Sequence, residues 1–287
     1  MVEVTWYDRL SDDDLNAVRG LLRAAGVGDD FRGGSHALAY DSGLVGYLHV
    51  NTGGDARGRP VAELIVHPAQ RRRGVGAALT ESLIGQIPAR PLRIWSHGDH
   101  PGAARLAEKF GFARVRELLK MGLDLRDCPQ LPIPSWPAGV RLRTFVPGQD
   151  EPDVVAVNHR AFDWHPEQGA LTVDDLAAAE DESWFDPDGF FLAIDPEDRL
   201  LGFHWTKVHN GTPPVGEVYV VGVDPEAQGS GLGKALTLAG LHHLHRVGLS
   251  EVILYVEADN KPALAVYERL GFRTLVTDVQ YELPSSR

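Results

Sequence analysis

The 287-residue sequence predicts an α/β fold in two tandem domains built on one plan. Three observations predict it. Apolar runs of strand length alternate with helical stretches through both halves. Two blocks recur in the same order: "RRRGVGAAL" (71–79) lies against "QGSGLGKAL" (228–236) at an offset of 157, and "HPGAARLAEKFGF" (100–112) against "NKPALAVYERLGF" (260–272) at an offset of 160. A repeat of loop, helix and terminal Gly-Phe in one order points to duplicated domains. Between the copies, "CPQLPIPSWPAG" holds four prolines in twelve residues, a semi-rigid extended linker. The expected division is residues 1–127, a linker at 128–139, and residues 140–287.

Along the first half, an amphipathic helix is expected over about 11–25, with short strands near 36–40 and 43–50 ("GLVGYLHV"). "VAELIVHP" reads as a strand, followed by a helix from about Gly74. "LRIWSH" is a strand, 101–110 a helix, and "FARVRELLKMGLDL" a closing strand. The second half opens with helices near 151–163 and 172–182, then strands near 189–194 and 200–208. "GEVYVVGV" is a strand, 231–246 a helix, "EVILYVE" a strand and 261–270 a helix. "FRTLVTDVQYEL" closes the chain as a long strand.

Composition excludes several classes. The sequence is 43% hydrophobic and 24% charged, without a low-complexity tract. It has no run of 18 apolar residues, so no membrane span is expected. Acids occupy the start, "MVEVTWYDRLSDDDL", where a signal peptide would be basic and then apolar. A single cysteine, Cys128, excludes an internal disulfide, and together these features place the chain in the cytoplasm, with a monomer expected. Of the net charge of −12, little sits in residues 1–127, which hold 17 Lys/Arg against 16 Asp/Glu; the remainder holds 11 against 24. An acidic second half disfavours nucleic acid as a partner and suits a cationic substrate, or serves solubility alone.

In "QGSGLG", Gly229, Gly231 and Gly233 remove side chains where backbone N–H groups approach an anion, and the loop runs into a helix N-terminus that favours negative charge. It matches neither GxxxxGK[ST] nor G-x-G-x-x-G, so the usual nucleotide fingerprints are not met. Taken alone, the loop is a Gly-rich turn; its repetition before two helices argues for anion binding.

The pattern "VDPEAQGSGLGKAL … LYVEADNKPALAVYERLGF" resembles the GNAT superfamily of N-acetyltransferases, and the resemblance spans both halves. It implies, for each domain, a mixed and mostly antiparallel sheet flanked by helices, and an acetyl-CoA-dependent N-acetyltransferase needing no metal. The loop Gln228, Gly229, Ser230, Gly231, Leu232, Gly233 and Lys234 would hold the pyrophosphate. Val221, Gly222 and Val223 would present backbone to the pantetheine and acetyl carbonyl, and Asn260 would cap a helix or reach the cofactor. In the first domain, Leu64, Ile65, Val66, Arg72, Arg73, Gly74, Val75, Gly76 and Ala77 would do the same work.

Acetyl transfer to an amine needs a base for the ammonium proton and an acid for the departing thiolate. The resemblance assigns these to Glu217 and Tyr267. Glu217 shares strand parity with Tyr219, and Tyr267 shares a helix face with Asn260. At the loop and block offsets, the first-half positions are Pro60, Ala107 and His100 for Glu217, Tyr267 and Asn260. The first domain therefore keeps the loop and loses the proton-transfer groups, with Glu63 as a displaced candidate base.

"HPEQG", "WFDPDGF", "LLGFHWTKVH" and "GEVYVVGVDP" are similar to the branch that acetylates the cysteinyl amine of cysteinyl-glucosaminyl-inositol. This implies substrate contacts from Glu167, Lys207, Glu217 and Tyr255, with Asp29 or Asp30 standing in for a first-domain acid. Other small amines, a peptide N-terminus, or a regulatory acyl-CoA-binding protein without turnover are the alternatives. His242, His243 and His245 follow no metal-ligand spacing and read as a polar helix face; Cys128 has no evident histidine partner for catalysis.

Overall fold

The structure, a computed structural model, describes residues 2–28, 33–51, 53–55, 58–88, 91–127, 131–165 and 168–285. The first half runs β1 (Glu3–Tyr7), α1 (Asp12–Ala25), β2 (Ser35–Tyr40), β3 (Leu44–Asn51), β4 (Val61–Val66), α2 (Val75–Gln86), β5 (Leu92–Ser96), α3 (Pro101–Phe110) and β6 (Ala113–Asp124). The second runs β7 (Arg141–Thr144), α4 (Glu151–Ala161), α5 (Val173–Glu180), β8 (Phe190–Ile194), β9 (Leu200–His209), β10 (Val215–Val223), α6 (Leu232–Arg246), β11 (Glu251–Glu257), α7 (Lys261–Arg269) and β12 (Arg273–Leu283).

Local chemistry fixes the helix ends. Ser11 accepts a hydrogen bond from the Asp14 amide, three aspartates fill the first turn of α1, and Gly26 closes it at φ +71°. The Asn260 side chain caps α7 through the Ala263 amide at 3.2 Å, as His100 caps α3 through the Gly102 amide at 3.0 Å. Within α6, Leu236, Leu241 and Leu244 are fully buried, each such side chain contributing roughly 1.5–3 kcal/mol.

Both sheets are mixed and mostly antiparallel. In the first, β1–β2–β3–β4 are antiparallel neighbours and β4–β5 is parallel. In the second, β7–β8–β9–β10 are antiparallel and β10–β11 is parallel. The edge strands β1 and β7 escape a sequence reading because each is short and pairs with one neighbour only.

The compact units do not follow the sequence halves. One comprises Met1–Leu118 with Val276–Arg287, the other Leu119–Leu275. The reason is an exchange of closing strands. The last part of β12 pairs with β5 of the first unit, Val279 opposite Ser96 and Leu283 opposite Leu92. The end of β6 lies beside β11 in the second unit's sheet. Val279 and Tyr281 are thereby core residues of the first unit although they lie at the far end of the chain.

Candidate active site

In each unit the parallel pair parts company midway. β10 pairs with β11 at Gly216, Glu217 and Val218 only, and β4 pairs with β5 at Val61, Ala62 and Glu63 only. Beyond those points the backbone on that side of β10 and β4 has no ladder partner, so it is available to a ligand entering the gap. The strand then leads into a short 3-10 turn, a loop and a helix N-terminus.

The loop is built alike in both units. Gln228 Nε2 donates to the carbonyl of Val223 at 3.2 Å, and Arg71 Nε donates to Val66 at 3.3 Å. Each of these side chains ties the loop to its strand. Gly231 and Gly74 precede α6 and α2 with φ of +87° and +88°, a conformation only glycine adopts freely. The glycine before each helix has no side chain to cap it, and Ser230 Oγ makes only a long 3.4 Å contact with the Leu232 amide, so the first amides are placed to meet an anion. A Cβ on Gly229 or Gly231 would meet nothing within 4 Å. Arg72 of the first loop holds the left-handed conformation, φ +64°, that Gly229 takes in the second at +77°.

Leu64, Ile65, Val66, Arg72, Gly74, Gly76 and Ala77 line one cavity of about 360 Å³ in the first unit. Arg71, Arg105 and Lys109 add positive charge to its wall. Arg73 and Val75 do not line it: Arg73 bonds Gln70 at 2.6 Å and Val75 is buried in the core. Gly222 lies against protein: a Cβ there would come 2.5 Å from the Phe203 ring. Its smallness serves packing within the sheet.

Glu217 is almost fully buried, opposite Lys207 on β9 and beside Ile253 on β11. Burial raises its carboxyl above the usual range, opposed by the hydrogen bond from His209 and the charges of Lys207 and Lys120. His209 Nε2 donates to Glu217 Oε2 at 2.6 Å. Lys207 sets its ammonium 4.1 Å from the centre of the Trp184 ring and 4.9 Å from that of Tyr219. One face thus gathers Glu217, Lys207, His209, Tyr219 and Trp184. The shared face of Glu217 and Tyr219 agrees with strand parity, but the strand is not regular. Tyr219 is the extra residue of a bulge, since Val218 opposes Thr206 and Val220 opposes Trp205.

That bulge corrects the comparison between the halves. β4 has no bulge: its register against β3 is continuous from Val61 to Val66. Counted by the antiparallel pairing, the first-unit match of Glu217 is Val61 rather than Pro60, because Glu217 stands opposite Lys207 and Val61 opposite Asn51, each the fifth residue after the glycine (Gly202, Gly46) that faces the end of its strand (Val223, Val66). Glu63 then matches Val220, beyond the bulge. Glu63 is also engaged: its Oε2 accepts from His97 Nε2 at 2.6 Å, while His97 Nδ1 faces Asp278 at 3.7 Å. Burial opposes the charge on His97, but hydrogen bonds to Asp278 and Glu63 outweigh it and raise its pKa to about 10.

Tyr267 is half-buried on α7, packed edge-on to Phe272 and against the cluster that also takes Val218 and Val221. Burial pushes its phenol up to about 12, which keeps it protonated and able to donate. Its first-unit match, Ala107, is buried core. Tyr255 is 46% exposed, with the Lys120 ammonium 5.8 Å from its ring centre, so it is a surface side chain rather than a core one. Glu167, Asp29, Asp30 and Cys128 lie outside the described residues. His243 is not on a polar face; it is buried, bonded to Asp186 at 3.0 Å and packed on Phe191, because α6 runs over that turn. Among the described residues no group of three or more His, Cys, Asp or Glu is placed to hold a metal, and no helix is long and apolar enough to cross a membrane.

Trp184, His209 and Lys120 escaped the sequence reading. His209 carried a signal: it shares strand parity with Lys207, and the hairpin that pairs Lys207 with Glu217 brings it opposite Val215. Trp184 and Lys120 carried none, since they reach the face from a loop and from the exchanged strand β6.

Comparison with known proteins agrees with this geometry. Residues 156–272 match the acetyltransferase (GNAT) family model, and residues 32–114 match an acetyltransferase (GNAT) domain model. The chain is 57% identical to a mycothiol acetyltransferase of Saccharomonospora viridis, covering 98% of this chain and 99% of that one. It is 47% identical to a mycothiol acetyltransferase of Mycolicibacterium vanbaalenii, covering 97% of each. Among solved structures, a GCN5-related N-acetyltransferase from Sphaerobacter thermophilus superposes with a TM-score of 0.78 at 23% identity, over 98% of this chain and 95% of that one. A tandem GNAT protein from the clavulanic acid biosynthesis pathway gives 0.73 at 20%, over 100% and 99%. At those identities the structures speak for the fold.

Proposed function

The chain belongs to the acetyltransferase (GNAT) family and, within it, to the mycothiol acetyltransferases, and from that premise we propose that it transfers acetyl from acetyl-CoA to the cysteinyl amine of cysteinyl-glucosaminyl-inositol, as a mycothiol synthase. The second unit carries the chemistry. The observation that carries this reading is the buried carboxylate of Glu217 on the strand that leads to the open N-terminus of α6.

Glu217 takes the ammonium proton of the substrate, and the freed amine attacks the thioester carbonyl. Backbone groups of Val221–Val223, released from β11, hold the pantetheine and the acetyl oxygen. The C–S bond breaks as Tyr267 gives its proton to the departing sulfur. Amides at the start of α6, with Gln228–Lys234, hold the pyrophosphate, and Asn260, whose Oδ1 is used in capping, keeps its amide group for the cofactor. Lys207, Tyr255 and Glu167 contact the sugar-inositol hydroxyls. The first unit binds acetyl-CoA in its cavity without turnover, because the position of the base is Val61 and that of the acid is Ala107. The protein works as a cytoplasmic monomer on a small molecule, with no metal.

Thiol release from acetyl-CoA, measured with the cysteinyl-glucosaminyl-inositol against free cysteine, glucosamine and an aminoglycoside, tests the reading. Strong preference for the first is expected. Turnover only with another amine would discard the substrate and keep the transferase.

A further inference from the structure

We infer that His209 is a positioning residue for the base: its Nε2–H holds Oε2 of Glu217, leaving Oε1 as the oxygen that meets the substrate ammonium. The inference rests on the reading of Glu217 as base. Its ground is geometric. His209 is the next outward residue on the face of β9 that carries Lys207, and β10 returns to place Glu217 beside it. The Nε2–Oε2 separation is 2.6 Å, a charge-assisted length when the acceptor is ionised. The Glu217 side chain is 8% exposed and that of His209 is 44% exposed. The imidazole thus touches both the buried oxygen and solvent.

The other charged groups around Glu217 are occupied elsewhere. Lys207, on β9, rests on the Trp184 and Tyr219 rings, and Lys120, on β6, lies over Tyr255. Both act on Glu217 through space, and the Tyr219 hydroxyl sits within the same field. Among the described residues, the hydrogen bond to Glu217 comes from His209. A buried carboxylate with neither partner nor water is costly to ionise. The donor from His209 offsets part of that cost and aims the carboxylate through one fixed oxygen.

The test uses the full chain with His209→Ala and His209→Gln, following kcat and KM for both substrates from pH 5.5 to 9.5. Removing the donor raises the pH at which Glu217 ionises. In His209→Ala the acid limb of kcat/KM is expected to move up by about one pH unit. Activity at pH 7 then falls by no more than about 10-fold and returns to within about twofold of wild type at pH 9, with KM for acetyl-CoA unchanged. His209→Gln, which keeps an N–H donor, is expected to retain most of the activity at pH 7. An acid limb that stays in place in His209→Ala overturns the inference, as does a loss equal at all pH values. Glu217→Gln run in parallel separates the two readings: turnover kept there removes Glu217 as base, whereas turnover lost there with an unmoved His209→Ala profile removes only the role of His209.

Discussion

The ammonium of Lys207 stands 4.1 Å from the centre of the Trp184 ring, held over its face while Tyr219 flanks it at 4.9 Å. Two aromatic rings fix a long, otherwise mobile side chain at the mouth of the site, and a cation over an aromatic face is worth about 0.5–2 kcal/mol. Trp184→Ala is therefore expected to lower kcat/KM for the amine substrate by roughly 2- to 30-fold and to leave KM for acetyl-CoA in place. Steady-state kinetics with each substrate varied in turn checks it. Trp184→Phe keeps a ring and is expected to lose less.

His204 is wholly buried, with Nδ1 bonded to the Leu236 carbonyl at 2.7 Å. Burial, more than its neighbour His243, lowers its pKa from 6.5 to about 4, against the pull of the Leu236 bond. The sign follows directly. The unfolded chain takes up a proton here at a higher pH than the folded one, so the neutral ring contributes stability above about 6.5, and that contribution is lost as pH falls through about 4. Urea denaturation of His204→Leu between pH 7 and pH 4 is expected to show a flatter loss of stability than wild type.

Gly231 takes φ +87° with open space beside it. Alanine at this position meets no atom, so its cost is the backbone strain alone, about 1–2 kcal/mol. Relief of that strain turns the first amides of α6 away from the anion. Gly231→Ala is expected to raise KM for acetyl-CoA about 5- to 20-fold with kcat much less affected. An unchanged KM would show that these amides do not hold the phosphates.

Tyr281 is 5% exposed and belongs to the first unit's core, though it lies on the last strand of the chain. Tyr281→Ala is expected to cost about 3–5 kcal/mol. The loss should fall on the first unit: hydrogen exchange is expected to rise in α2 and β5 before it rises in α6 and β10.

Much of this was legible in the sequence because the repeat preserved what backbone chemistry requires. The glycine before each helix, the cap residue Asn260 and the apolar strands on either side follow from local rules and were read from them; that His100 caps α3 in the same way emerges only in the structure. What escaped depends on pairing. The bulge at Tyr219 adds one residue to β10 without disturbing its apolar pattern, so a fixed offset put Pro60 where Val61 belongs. The exchange of β6 and β12 leaves each strand's composition unchanged and alters only its neighbour. The grouping of Trp184 and Lys120 with Glu217 and Tyr255 depends on long-range folding that spacing does not encode.

The central claim is that one unit performs the chemistry and the other does not, although both carry the loop. Glu217 and Glu63 each accept a hydrogen bond from a histidine at 2.6 Å, but the His97 beside Glu63 is held as an imidazolium: burial opposes its charge, and the hydrogen bonds to Asp278 and Glu63 raise its pKa to about 10. The most direct measurement is kcat for acetyl transfer to cysteinyl-glucosaminyl-inositol by Glu217→Gln and by Glu63→Gln. The account predicts a loss of about 10²–10⁴ in the first and activity within about threefold of wild type in the second. Full activity in Glu217→Gln, or an equal loss in Glu63→Gln, would contradict it.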